Sequence, residues 1–142
     1  MQTVLDTEQP DLVVLGGDQV SGFAYPAADL PARLSRLLGG APSWYEQQWR
    51  RLVAPLQAAG VPYAAILGNH DGEADLGRRQ IAEMDAATGR GLSLTQPGPS
   101  HITGAGNYWL DVLEPGQGTA VAARIWMLDS GNRGCGAQAQ GW

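Results

Sequence analysis

Asp11-Leu12-Val13-Val14-Leu15-Gly16-Gly17-Asp18 is the stretch whose reading decides the fold. Four apolar residues follow one another without polar alternation, as in a strand buried on both faces of a mostly parallel sheet. The run stops at Gly16-Gly17-Asp18. A second run, Val61–Leu67, stops in the same manner at Gly68-Asn69-His70-Asp71. Between them Ser43 and Glu46 have capping-box spacing, Trp49, Leu52, Val53 and Leu56 form one apolar stripe, and Gly60 suits a left-handed exit. Pro55 removes one internal hydrogen bond and is expected to kink that helix. A shorter helix is expected over Leu30, Leu34, Leu37 and Leu38, punctuated by Pro31 and Gly39. Strand, helix and strand in this order predict an α/β fold.

Further along, Met1–Glu8 reads as the end of a helix. Asp75–Thr88 reads as a helix with Leu76, Ile81 and Met84 inward and Gly89 as its stop. Gly91–Gly106 reads as a surface loop around a short strand. Tyr108–Leu113 and Ala120–Leu128 flank Glu114-Pro115-Gly116-Gln117-Gly118 as a β-hairpin. The tail Asn132–Trp142 carries no usable pattern.

The 142 residues, 44% of them apolar, suit a single domain with a core of ordinary size. Nine Arg, no Lys and fourteen acidic residues give a net charge of −5, which argues against a nucleic-acid partner. No apolar run approaches the roughly 20 residues of a membrane helix, so no membrane partner is expected. Cys135 is the one cysteine, which excludes an intrachain disulfide framework and any Cys-based zinc cluster. Met1–Pro10 lacks the profile of a secretory signal.

In open α/β sheets ligands collect beyond the carboxyl ends of the strands. If the two buried runs are parallel neighbours, Asp18, Asn69, His70 and Asp71 converge on one rim, with Gly17 and Gly68 allowing the sharp turns. A carboxylate, an amide oxygen and an imidazole suit hard or borderline cations and proton transfer.

Pro10–Asp18 resembles the second motif block of the calcineurin-like metallophosphoesterases, and Gly68-Asn69-His70-Asp71 resembles their third, the Gly-Asn-His-Asp/Glu signature. Gly60-Val61-Pro62-Tyr63-Ala64-Ala65, Gly98-Pro99-Ser100, Gly106-Asn107-Tyr108 and Leu128-Asp129-Ser130-Gly131 are similar to the purple-acid-phosphatase-like subgroup. The resemblance implies hydrolysis of a phosphorylated substrate at a binuclear centre of divalent or trivalent ions (iron, zinc or manganese). Asp18 would bridge the two ions, Asn69 would bind the second, and His70 would act on the phosphoryl oxygens or the leaving group. Asp71 would orient or support His70.

The family also opens with Asp-x-His and closes with a further His and Gly-His-x-His, whereas the histidines here are His70 and His101 alone. Ser21 stands where the true purple acid phosphatases carry an iron-ligating tyrosine. The expectation is therefore a single, incomplete phosphoesterase domain over residues 1–142. Its architecture would be a partial layered metallophosphoesterase sandwich lacking the first strand and the C-terminal His-bearing segment, inactive by itself. Two other readings stand beside it: a non-catalytic binding or scaffold module built on the same fold, and a small domain that binds a phosphorylated ligand without metal. His101 reads as a solvated loop residue, and Arg50-Arg51 and Arg78-Arg79 as solvated helix faces. Trp44, Trp49, Trp109, Trp126 and Trp142 read as core, and Cys135 as no nucleophile.

Overall fold

The computed structural model describes residues 1–26, 42–116 and 118–131. The elements in chain order are α1 (Gln2–Glu8), β1 (Val13–Leu15), α2 (Trp44–Ala59), β2 (Tyr63–Ala65), α3 (Arg78–Thr88), β3 (Tyr108–Leu113) and β4 (Val121–Met127). Single 3-10 turns lie at Gly22–Ala24 and Asp71–Glu73. Helices alternate with two small two-stranded sheets, the mixed α/β architecture expected. The helix expected around Leu30–Leu38 and the tail from Asn132, with Cys135 and Trp142, lie outside the described residues. Among the described residues no helix is long and apolar enough to cross a membrane.

β1 and β2 pair in parallel, Val13 with Tyr63, Val14 with Ala64 and Leu15 with Ala65. β2 is buried throughout because it is covered in every direction. β1 lies along one edge, and the backbone around Ser93 runs along the other, with Tyr63 N–H donating to the Leu92 carbonyl at 2.9 Å. Tyr63 and Ala65 face α2 and α3, while Ala64 faces the hairpin side chains Tyr108 and Met127. β1 departs from the expected two-sided burial, since Val14 is 44% exposed. Val14 lies on the hairpin side of the sheet, beyond the cluster that covers its neighbour Ala64.

Ser43 caps α2 by accepting the Glu46 N–H at 3.0 Å, and Gly60 closes it in the left-handed region at φ 69°. Tyr45, Trp49, Val53 and Leu56 make its buried face, and the helix runs on through Pro55. Asp85 of α3 ties the layers together from inside the core. It accepts Trp49 Nε1–H at 2.7 Å, Tyr63 O–H at 2.8 Å and Ser93 O–H at 2.8 Å. Burial raises the Tyr63 phenol well above its ordinary value, with the Asp85 charge adding to it. α3 starts at Arg78 rather than Asp75, because Asp71–Glu73 winds its own 3-10 turn and Gly77 opens the helix.

The hairpin forms as expected, antiparallel, with Trp109 opposite Trp126 and Asp111 opposite Arg124. Tyr108 is buried and donates its hydroxyl to the Ala65 carbonyl at 2.7 Å, which anchors the hairpin on the first sheet. Burial pushes its pKa up to about 12. Trp109 and Trp126 correct the core assignment, at 48% and 59% exposed. Strand alternation sends Tyr108 and Met127 inward, so their neighbours necessarily face outward. There the two indoles meet at 5.6 Å beneath the Arg124 guanidinium, which is itself paired with Asp111.

Candidate functional site

The carboxyl ends of β1 and β2 are adjacent, and the loops leaving them touch through their backbones. Gly17 adopts φ 99°, and a Cβ there would come within 2.5 Å of the Gly68 nitrogen. A Cβ on Gly68 would overlap the Asp18 carboxylate. Both glycines are thus required by close approach, and Gly17 by its left-handed turn as well. Asp18 itself sits in the left-handed region at φ 52°, a conformation in which Asp is tolerated better than most residues. Its Oδ1 accepts the backbone N–H of His70 at 2.8 Å, joining the two loops directly. Its other oxygen accepts nothing among the described residues.

Asn69 follows, exposed, with its side chain unbonded among the described residues. The His70 ring is partly exposed. Its Nδ1 lies 2.8 Å from Glu73 Oε2. A carboxylate only accepts, so Nδ1 carries the hydrogen and Nε2 is left to meet a ligand. That hydrogen bond raises the imidazole pKa above 6.5 despite slight desolvation, and the charges of Glu73, Asp18 and Asp71 act in the same sense. His70 also meets the Phe23 ring, 4.9 Å away between centroids.

Asp71 does not orient His70 by contact, although its charge supports the imidazolium electrostatically, the other half of the expectation. It is fully buried and faces inward. One oxygen accepts the N–H groups of Asp18 at 2.7 Å and Gly68 at 2.8 Å. The other accepts Val20 N–H at 3.2 Å and Tyr45 O–H at 2.7 Å. Asp71 therefore fastens both loops to each other and to α2, while Glu73 holds the imidazole. Burial raises the Tyr45 phenol far above its ordinary value, and the Asp71 charge raises it further. The signal for Glu73 was its i+3 spacing from His70, which a tight turn brings onto the same side.

Arg78 also departs from its expected place on a solvated face. Its guanidinium is largely buried, donates to the Gly68 carbonyl at 2.5 Å and the Leu67 carbonyl at 3.0 Å, and pairs with Asp129. The Asp129 side chain is buried and also accepts the N–H groups of Ala105 at 2.6 Å and Gly131 at 2.9 Å. The loop carrying Asn69 and His70 is thus held from behind by α3 and by the segment after β4. His101 is exposed and takes no part.

The rim offers two unencumbered oxygen donors, Asp18 Oδ2 and the Asn69 amide, beside an oriented imidazole. It does not offer a full ligand set. Among the described residues no three His, Cys, Asp or Glu side chains come together as a metal site. Two donors do not fit a centre of two ions, each taking roughly four to six ligands.

A family model described as calcineurin-like phosphoesterase matches residues 1–128. The phosphatase DCR2 of Saccharomyces cerevisiae is 30% identical over 132 residues, covering 92% of this chain and 20% of that protein. Two Arabidopsis thaliana proteins are similar as well. The probable inactive purple acid phosphatase 29 is 29% identical over 93% of this chain and 31% of its own length. The probable inactive purple acid phosphatase 14 is 30% identical over 81% of this chain and 25% of its own length. The chain spans less than a third of each of these relatives. No solved structure matches it significantly.

Proposed function

We propose that this chain, which belongs to the calcineurin-like phosphoesterase family, forms a single, incomplete domain contributing part of the site of a metal-dependent phosphate-ester hydrolase. Asp18 and Asn69 would supply oxygen ligands to the metal, and His70 would meet the phosphorylated substrate. One observation carries this reading. The His70 N–H to Asp18 Oδ1 hydrogen bond, 2.8 Å long, brings the ends of two parallel strands together and leaves Oδ2, the Asn69 amide and Nε2 for ligands. With Nδ1–H held by Glu73, Nε2 can donate to a phosphoryl oxygen or to the leaving-group oxygen.

The expected cofactors are two ions of iron, zinc or manganese, and the described donors do not hold two by themselves. The isolated chain is accordingly expected to be inactive. Two relatives bear names that call them probable inactive phosphatases, which favours a second reading: a non-catalytic binding or scaffold module on the same fold.

Calorimetric zinc titration distinguishes the roles. Asp18→Ala should weaken zinc binding by more than the roughly 10–100-fold that loss of an outer-shell partner costs. His70→Ala should weaken it far less, because the bond to Asp18 comes from the backbone. Equal losses in the two variants, or none in Asp18→Ala, would remove Asp18 from the metal site.

A further inference from the structure

Phe23 is the most exposed large apolar side chain among the described residues, at 77%. Isolated apolar side chains on a surface ordinarily require no explanation. Phe23 differs in being held in place beside His70. Gly22 donates its N–H to the His70 carbonyl at 3.0 Å. It also packs so closely on Glu73 that a Cβ at position 22 would overlap the Glu73 Cβ and backbone. The turn Gly22–Ala24 therefore rests on the turn Asp71–Glu73. The Phe23 ring lies 4.9 Å from the imidazole, tilted by 51°, with most of its surface open.

His70 Nδ1 is committed to Glu73, so an ester approaching the ring engages Nε2. The carbon skeleton of the leaving alcohol begins one bond beyond the oxygen that Nε2 meets. Rings pair favourably at roughly 4.5–7 Å between centroids, and the Phe23 ring stands 4.9 Å from the imidazole that an aryl leaving group would approach. A small aliphatic group would leave Phe23 uncovered. We propose that Phe23 is a specificity-determining residue that selects phosphate monoesters of aromatic alcohols by packing against their ring. This rests on the phosphoester reading given above.

Phenylphosphonate, methylphosphonate and inorganic phosphate can be titrated into the chain in zinc-containing buffer and followed through the His70 ring protons. Phenylphosphonate should bind about two- to tenfold more tightly than methylphosphonate, the range that a ring pair supplies. Its ring protons should show saturation transfer from Phe23. Phe23→Ala, which removes an exposed side chain and should still fold, brings the two phosphonates to equal affinity, whereas Phe23→Tyr keeps the preference. Equal affinities in the unmodified chain, or a preference that survives Phe23→Ala, would overturn the proposal. Phosphate binding without aryl preference overturns it alone; no response of His70 to any of the three overturns the phosphoester reading as well.

Discussion

Asp71→Ala should lower the unfolding free energy by at least about 3 kcal/mol, read from urea melts followed by tryptophan fluorescence. The carboxylate is completely buried and satisfies four donors, three backbone N–H groups and the Tyr45 hydroxyl. Removing it leaves those donors in a space too enclosed for bulk water, and each unsatisfied buried group costs about 1–3 kcal/mol. Against a typical total of about 5–15 kcal/mol the loss is a large fraction of the stability. Asp71→Asn should suffer comparably. Each carboxylate oxygen receives two donors, so whichever becomes an amide nitrogen confronts two N–H or O–H groups. A loss below about 1 kcal/mol for Ala would mean that water replaces the carboxylate, and the fastening role would fail.

Arg78→Ala should cost about 3–5 kcal/mol, the usual penalty for stranding one partner of a buried ion pair. The Asp129 side chain would remain buried with two N–H partners and no cation, and the carbonyls of Leu67 and Gly68 would lose their donor. Arg78→Lys keeps the charge but not the fork that reaches two carbonyls and a carboxylate together, so it should fall between. The pH dependence gives an independent reading. Burial raises the Asp129 carboxyl, but the Arg78 hydrogen bonds and the N–H groups of Ala105 and Gly131 outweigh it and hold the pKa below 3.8. Its stabilisation is therefore present above the ordinary carboxylate value and is lost as pH falls through the lower folded value. Without Arg78 the folded value rises, and the acid limb of the stability curve should move to higher pH. Urea midpoints of both proteins across roughly pH 2–6 test this; superimposable limbs would contradict it.

The strand ends, the Ser43 and Gly60 helix limits and the hairpin were all legible in the sequence. Each depends on local chemistry, namely an uninterrupted apolar run, a hydroxyl cap, a left-handed glycine or a Gly-rich turn. Asp18, Asn69 and His70 were legible as a group because motif order and strand ends together place them on one rim. The division of labour between Asp71 and Glu73 was not. Asn69-His70-Asp71 reads as three polar residues of one turn, and nothing local says that the third points into the core. That depends on Tyr45, 26 residues earlier, arriving with its hydroxyl. Arg78 was misread for a related reason. Paired arginines on a helix look solvated until a distant acid, Asp129, is placed beneath one of them. The outward indoles of Trp109 and Trp126 follow from hairpin register, which a list of apolar residues does not contain.

On the proposed reading this rim carries two metal donors and an oriented histidine but not a complete two-ion centre. Metal content after saturation and dialysis, measured alongside aryl phosphate turnover of the same 142-residue chain, tests it most directly. No tightly held pair of ions and no turnover above background are expected. Two ions retained stoichiometrically, with turnover at the level of an intact phosphatase, would contradict it.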